Sequence, residues 1–251
     1  MILGNCDPQG SVDNVKGILS EMESSLLPTS GLVDNAVLEV LAVHPDPLLR
    51  QSTIQKMRRE WAPMSPLARQ NNVAALIREG QLEAGQGELA QLESDSIEIP
   101  LWLRTVLCHA MCQEKEFELL LHIFYDYHDR HIELPRPTWL YILHETLAAG
   151  HLPTTDWIWQ KHVEPMYIMP DADCCIRTLT LAIREQHLQL ADNALEVLES
   201  IAPEQAKHCR DTVESAYSAT GKVRAKTPRS RSLGARDAPT KKVPESGSPG
   251  A

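Results

Sequence analysis

The sequence predicts an all-α solenoid of stacked helix-turn-helix repeats, followed by a disordered basic C-terminal tail. Three observations carry that prediction. Prolines recur at a nearly fixed interval: Pro28, Pro63, Pro100, Pro135 and Pro170 are separated by 35, 37, 35 and 35 residues. A period in this range marks a stacked helical repeat, and proline punctuates its units because it cannot continue a helix. Each interval also carries two runs of apolar residues at helical spacing, and 35 residues hold two helices of about 12–14 residues plus two turns. Finally, only 5% of the 251 residues are aromatic and there are 12 glycines, which suits helices better than a β-sandwich.

The array spans residues 11–218, with units at 28–62, 63–99, 100–134, 135–169 and 170–203 and partial units at both ends. In the first unit, Val33, Val37, Leu38 and Leu41 form an apolar stripe. Asp46-Pro47 then reads as an N-cap with proline at the first helical position, opening a second helix through Ile54 and Met57. The second unit opens on Ser65-Pro66, another cap and proline, and Gly80 ends its first helix. Its second helix holds Ala84, Gly85 and Ala90, small residues that suit close packing, although Gly85 and Gly87 each weaken a helix by about 1 kcal/mol. The third unit pairs Leu103, Leu107 and Met111 with Phe117, Leu120 and Phe124. The fourth pairs Trp139, Ile142 and Leu143 with Trp157, Ile158 and Val163 across Gly150. The fifth pairs Cys175, Leu179 and Ala182 with Leu188, Ala191, Leu195 and Leu198. Residues 11–27 read as the second half of a unit and 204–218 as the first half of another, so the array starts and stops in mid-unit. Residues 219–251 are rich in Pro, Ser, Gly, Lys and Arg and poor in large apolar residues, the composition of disorder.

Charge is unevenly spread over the net −10. From Gly221 to Ala251 eight Lys and Arg face only Asp237 and Glu245, a net +6, which leaves the remainder at −16. An acidic body repels phosphate and argues against nonspecific binding of nucleic acid by that body. The six cysteines form no C-x-x-C pair and follow no secretory signal, so free thiols in a reducing compartment are expected. No apolar run approaches the ~20 residues of a membrane helix, and no Arg-rich import signal is visible at the N-terminus.

Candidate chemistry is sparse. Cys108 and Cys112, one helical turn apart beside His109, have half of a zinc spacing, but no second pair follows, so they read as small core residues. His128 and His131 near Asp129 read as a solvated last turn, with histidine at the negative end of the helix dipole. Trp102, Trp139, Trp157 and Trp159 have the faces to stack bases, yet lie among apolar neighbours at helical spacing. No catalytic motif, phosphate loop, metal site or cofactor site is expected, and the chain reads as non-enzymatic.

Phe117-Glu118-Leu119-Leu120-Leu121-His122-Ile123-Phe124, followed by Ile132-Glu133-Leu134-Pro135, resembles the second helix and closing turn of a pentatricopeptide repeat. Ala75-Leu76-Ile77-Arg78-Glu79-Gly80-Gln81-Leu82-Glu83 resembles its inter-helix turn, and the wider stretch looks like the fungal mitochondrial members of that family. Tetratricopeptide repeats are the near alternative; no unit here shows their Trp, Leu-Gly, Tyr order. The resemblance implies a right-handed superhelix that binds single-stranded RNA, one base per repeat, on its concave face in mitochondria, supporting transcript processing, stability or translation. Aligned on the inter-helix turn, it places base-reading positions at Asp34, Arg69, Thr105, Leu140 and Arg177. Of these Thr105 matches the usual occupants, Leu140 offers no hydrogen bond, and all five also suit plain solvent-facing places. The acidic body leaves a second reading open, a scaffold that holds a protein partner in the concave groove, such as an assembly factor for a mitochondrial complex.

Overall fold

In a computed structural model, residues 12–220 are described. The tail from 221, with its Arg and Lys cluster, and the first eleven residues lie outside them. The described chain is twelve α-helices and one π turn, with no strand among these residues: α1 Val12–Ser24, α2 Gly31–Leu41, α3 Pro47–Arg59, α4 Pro66–Arg78, α5 Leu82–Ser94, α6 Leu101–Gln113, α7 Phe117–Asp129, α8 Arg136–Ala149, α9 Leu152–Ile158, the π turn Trp159–Val163, α10 Ala172–Arg184, α11 Leu188–Ile201 and α12 Pro203–Thr220. α12 runs two residues into the stretch expected to be tail.

Helices alternate as first and second members of pairs. First helices begin at Gly31, Pro66, Leu101, Arg136 and Ala172, spaced 35, 35, 35 and 36 residues. Second helices begin at Pro47, Leu82, Phe117, Leu152 and Leu188 with the same spacing. The prolines keep a looser step than the helices: Pro28 and Pro63 stand three residues before α2 and α4, Pro100 and Pro135 directly before α6 and α8. That shift produces the interval of 37 in the sequence.

Caps set the helix starts. Leu49 N donates to Asp46 Oδ1 at 2.9 Å, Ala68 N to Ser65 Oγ at 3.1 Å and Cys174 N to Asp171 Oδ1 at 2.8 Å. Left-handed residues set the ends. Gly80, Lys115, Gly150 and Gln186 have positive φ between the members of a pair, while Leu26, Trp61, Ser96, His131 and Met166 have it after the second member. The latter five keep a step of 35 throughout, so the one extra residue of the α8–α9 pair falls between Met166 and Ala172. Each closing turn satisfies orphan carbonyls in the Schellman pattern, as where Ile132 N donates to Tyr127 O at 2.8 Å and His131 N to His128 O at 3.1 Å.

Core residues stack in columns one unit apart. Leu38, Val73, Cys108, Leu143 and Leu179 are all buried at the eighth place of a first helix. Met57, Leu92, Tyr127 and His162 form a matching column on the second helices. A small core between α1 and α4 includes Leu38, Leu41 and Met57; a larger one runs from Ala42, just after α2, to Val213 on α12. First helices pack side by side throughout, α2 on α4, α4 on α6, α6 on α8, α8 on α10 and α10 on α12. Second helices stand farther apart, with α7 and α9 the close pair. This asymmetry curves the array with the first helices on the inside.

Candidate nucleic-acid interface

The inner face is built from four places on each first helix, the second, sixth, ninth and thirteenth, which share one side at helical spacing. On α6 these are Trp102, Val106, His109 and Gln113; on α8 Pro137, Tyr141, His144 and Ala148; on α10 Asp173, Arg177, Thr180 and Arg184. All are exposed or half-buried. On α4 the middle of the same stripe, Asn71 and Ala74, is buried, so the open face runs across α6, α8 and α10. The rings of His109 and Tyr141 lie 4.4 Å apart and join α6 to α8. A cleft of about 290 Å³ opens beside them, lined by Ile77, Arg78, Val106, His109 and Gln113.

Charge is segregated between the two sides. The first helices α2, α4, α6, α8 and α10 carry Arg69, Arg78, Arg104, Arg136, Arg177 and Arg184 against Asp34, Glu39, Glu145 and Asp173, a net +2. Second helices α5, α7 and α11 each carry three carboxylates and no Lys or Arg. In contrast, α3 carries Arg50, Lys56, Arg58 and Arg59 and no acid, while α1 and the α9 stretch are mixed, with Lys16 and Lys161 beside carboxylates. The acidity of the body therefore belongs mainly to the outer helices and loops. Net charge alone missed this, because it sums two faces that a strand would meet separately.

The five sequence-derived positions do not share a register. Asp34 and Arg69 are fourth in their helices, Thr105 and Leu140 fifth, and Arg177 sixth. One residue turns a helix by about 100°, so the set fans around the array. Asp34 is buried and pairs with Lys56 Nζ at 2.7 Å; Arg69 pairs with Asp95 at 2.6 Å. Thr105 is half-buried, and its Oγ1 has no hydrogen-bond partner among the described residues. Leu140 packs against the core, and Arg177 lies on the open face, 3.8 Å from Asp173. In the common register the fifth places are Asn35, Gln70, Thr105, Leu140 and Ile176. Asn35 Oδ1 accepts from Ser65 N at 3.1 Å and Gln70 Nε2 donates to Glu98 O at 2.8 Å, so these two tie each first helix to the next closing loop. The only break in the even step is the extra residue before Ala172; against the common register Asp34 and Arg69 fall one place early and Arg177 one place late.

Three of the tryptophans, Trp139, Trp157 and Trp159, are buried, while Trp102 is 41% exposed at the rim of the open face. Around the π turn an aromatic cluster replaces the aliphatic core. His162 stacks on Trp139 with centroids 3.9 Å apart, Phe124 stacks on Trp157 at 5.3 Å, and Trp139 Nε1 donates to Glu133 Oε1 at 3.1 Å. Burial, with His128 and Lys161 nearby, pushes His162 down to about 4, so it is neutral at pH 7. The thiols of Cys108 and Cys112 are pushed up by burial, Cys112 to about 12, as core residues rather than reactive groups. His131 is taken up by the left-handed closing turn after α7.

No family model matches the sequence, and no curated protein matches it. Among solved structures, the pentatricopeptide repeat protein PPR10 from maize superposes with a TM-score of 0.50 at 12% identity, covering 85% of this chain and 33% of that one. The fold is pentatricopeptide-repeat-like. This chain spans about a third of that protein's length, and at such identity the likeness concerns the fold. The repeat resemblance read from the third unit and the inter-helix turn thus holds at the level of architecture. No helix among the described residues is long and apolar enough to cross a membrane.

Proposed function

We propose that this chain is a non-enzymatic pentatricopeptide-type repeat protein that binds single-stranded RNA along the inner face of α6, α8 and α10. One observation carries the reading. That face gathers the rings of Trp102, His109, Tyr141 and His144 with the cations Arg177 and Arg184, while three of the outer helices hold carboxylates alone. Aromatic faces that stack bases and cations that follow the backbone are the two components of single-strand binding. Leu140 and Ile176 in the common register supply no hydrogen bond to a base edge, so affinity here comes from stacking and phosphate more than from sequence. The family resemblance supports a mitochondrial place of action, in transcript processing, stability or translation; a tagged chain found outside mitochondria on fractionation would remove that part.

Direct binding tests the core of the reading. A fluorescent single-stranded RNA titrated with the chain is expected to bind with micromolar or tighter affinity, weakening as salt rises. Arg177→Ala with Arg184→Ala should flatten the salt dependence by roughly 0.7 in log–log slope for each phosphate that is no longer neutralised. No binding at low salt would overturn the proposal.

A second reading keeps one specific observation. Leu32 and Leu67 are 82% and 52% exposed at the same second place where Trp102 stands, a row of apolar side chains along the edge of the array. Such a row suits a protein partner, in line with a scaffold or assembly role. Recovery of a stoichiometric protein partner, abolished in Leu67→Asp with RNA binding intact, would favour it.

A further inference from the structure

The start of α10 and the middle of α8 bring three unlike donor side chains together. An imidazole nitrogen of His144, a carboxylate oxygen of Asp171 and the Sγ of Cys174 all lie within 4.8 Å of one another. They belong to consecutive helix pairs. His144 is half-buried, Asp171 exposed and Cys174 fully buried, so the group reaches from the core to the surface.

The repeat does not dictate these three residue types. In the repeat register the place of Cys174 is held by Val33, Ala68, Leu103 and Thr138, and the place of Asp171 by Ser30, Ser65, Pro100 and Pro135. The scaffold therefore accepts several small or apolar residues where the thiol stands. Two of the donors are also prepared. Asp171 Oδ1 accepts the capping bond from Cys174 N at 2.8 Å, which orients the carboxylate and leaves its second oxygen outside that bond. The His144 ring makes no hydrogen bond among the described residues. An unpaired, half-buried imidazole beside a fixed carboxylate and a thiol is a donor set suited to an electron-pair acceptor.

The donor types select the ion. Calcium and magnesium take oxygen ligands, whereas one nitrogen, one oxygen and one sulfur suit zinc in a tetrahedral site. Bonds of about 2.0 Å to nitrogen and oxygen and about 2.3 Å to sulfur place tetrahedral ligands roughly 3.3–3.7 Å apart, so donors within 4.8 Å of one another need draw in by at most about 1.5 Å. Rotation of the His144 and Cys174 side chains can cover that distance. We propose that His144, Asp171 and Cys174 form a zinc site, with water in the fourth position, that clips the α8–α9 pair to α10. On binding, the ion replaces the thiol proton of Cys174, which leaves to solvent, so thiolate and carboxylate together neutralise the metal charge. His144 also lies on the face proposed for RNA, but the metal readout below needs no RNA and fails or succeeds separately from RNA binding.

Cobalt substitution tests it on the full chain, reduced and freed of metal. Titration with Co²⁺ is expected to saturate at one ion per chain, with a thiolate-to-cobalt band in the near ultraviolet and tetrahedral d–d bands in the visible, both abolished when Zn²⁺ is added. Cys174→Ser should remove the near-ultraviolet band. His144→Ala and Asp171→Asn should weaken binding by at least the ~10–100-fold that supporting partners of a metal site cost. Cys112→Ser should leave the spectrum intact. If Cys174→Ser fails to fold, His144→Ala decides, since that ring is only half-buried. Absence of a thiolate band, its survival at full strength in His144→Ala, or its disappearance in Cys112→Ser would overturn the proposal.

Discussion

Gly85 and Gly87 look alike in the sequence and differ in the fold. A Cβ built on Gly85 would stand 2.7 Å from Ile77 Cγ1, across the contact of α4 with α5, whereas one on Gly87 meets nothing within 4 Å. Alanine at either position gains about 1 kcal/mol of helix propensity. At Gly85 that gain is outweighed by overpacking of about 1–3 kcal/mol. Denaturant unfolding should therefore show Gly87→Ala stabilised and Gly85→Ala destabilised. His162 offers a second contrast. It takes the core place of Met57, Leu92 and Tyr127, and burial depresses its pKa from 6.5 to about 4. The unfolded chain thus binds the proton more readily than the folded one, and the resulting stability is present above pH 6.5 and lost as the pH falls toward 4. His162→Phe, which keeps a ring on Trp139, should lose less stability between pH 6.5 and 5 than the parent chain. Residue identities alone could not have ranked the two glycines, because both are small residues on one helix and only the angle to Ile77 separates them. The core role of Cys108 was legible, since the helical stripe places it with Leu38, Val73, Leu143 and Leu179.

Between elements, the seam from α3 to α4 is held by charge as much as by apolar contact. Arg50 donates from Nε and Nη2 to the two oxygens of Glu79 at 2.8 and 2.7 Å, and from Nη1 to Asn72 Oδ1 at 3.3 Å. Only 11% of the Arg50 side chain and 1% of the Glu79 side chain meet solvent. Glu79→Ala leaves the guanidinium buried without its carboxylate, and equilibrium unfolding should show a loss of about 3–5 kcal/mol. A loss under 1 kcal/mol would mean that the guanidinium escapes to water. Helix boundaries at this scale were largely readable, because Asp46-Pro47, Ser65-Pro66, Gly80 and Gly150 announce caps and stops in local chemistry. The π turn was not. Residues 152–166 carry an ordinary apolar stripe, and the widened turn is visible only where Glu164 N donates to Trp159 O at 3.0 Å.

For the molecule as a whole, the repeat was legible because period and proline survive the degeneracy of single units, and the maize structure shares the architecture at 12% identity. The site was less so. Its face is assembled from places three or four residues apart on each of three helices, and prolines that stand three residues before α2 and α4 but directly before α6 and α8 give no fixed reference for the register, from which Asp34, Arg69 and Arg177 each depart by one residue. Charge misled in the same way, since −16 over the body conceals a mildly basic inner side.

The spacing of the outer helices has a mechanical corollary. Between α3 and α5 lies a cleft of about 690 Å³, edged by Arg50, Arg58 and Arg69, and a smaller one of about 280 Å³ separates α5 from α7. With the inner rods touching and the outer ones parted, the line where the inner rods meet acts as a hinge spine. Squeezing the outer gaps shut straightens the coil, and wedging them apart winds it tighter. The stretch from α3 to α7 is thereby the compliant part of the spring, and the aromatic α7–α9 junction a stiff one.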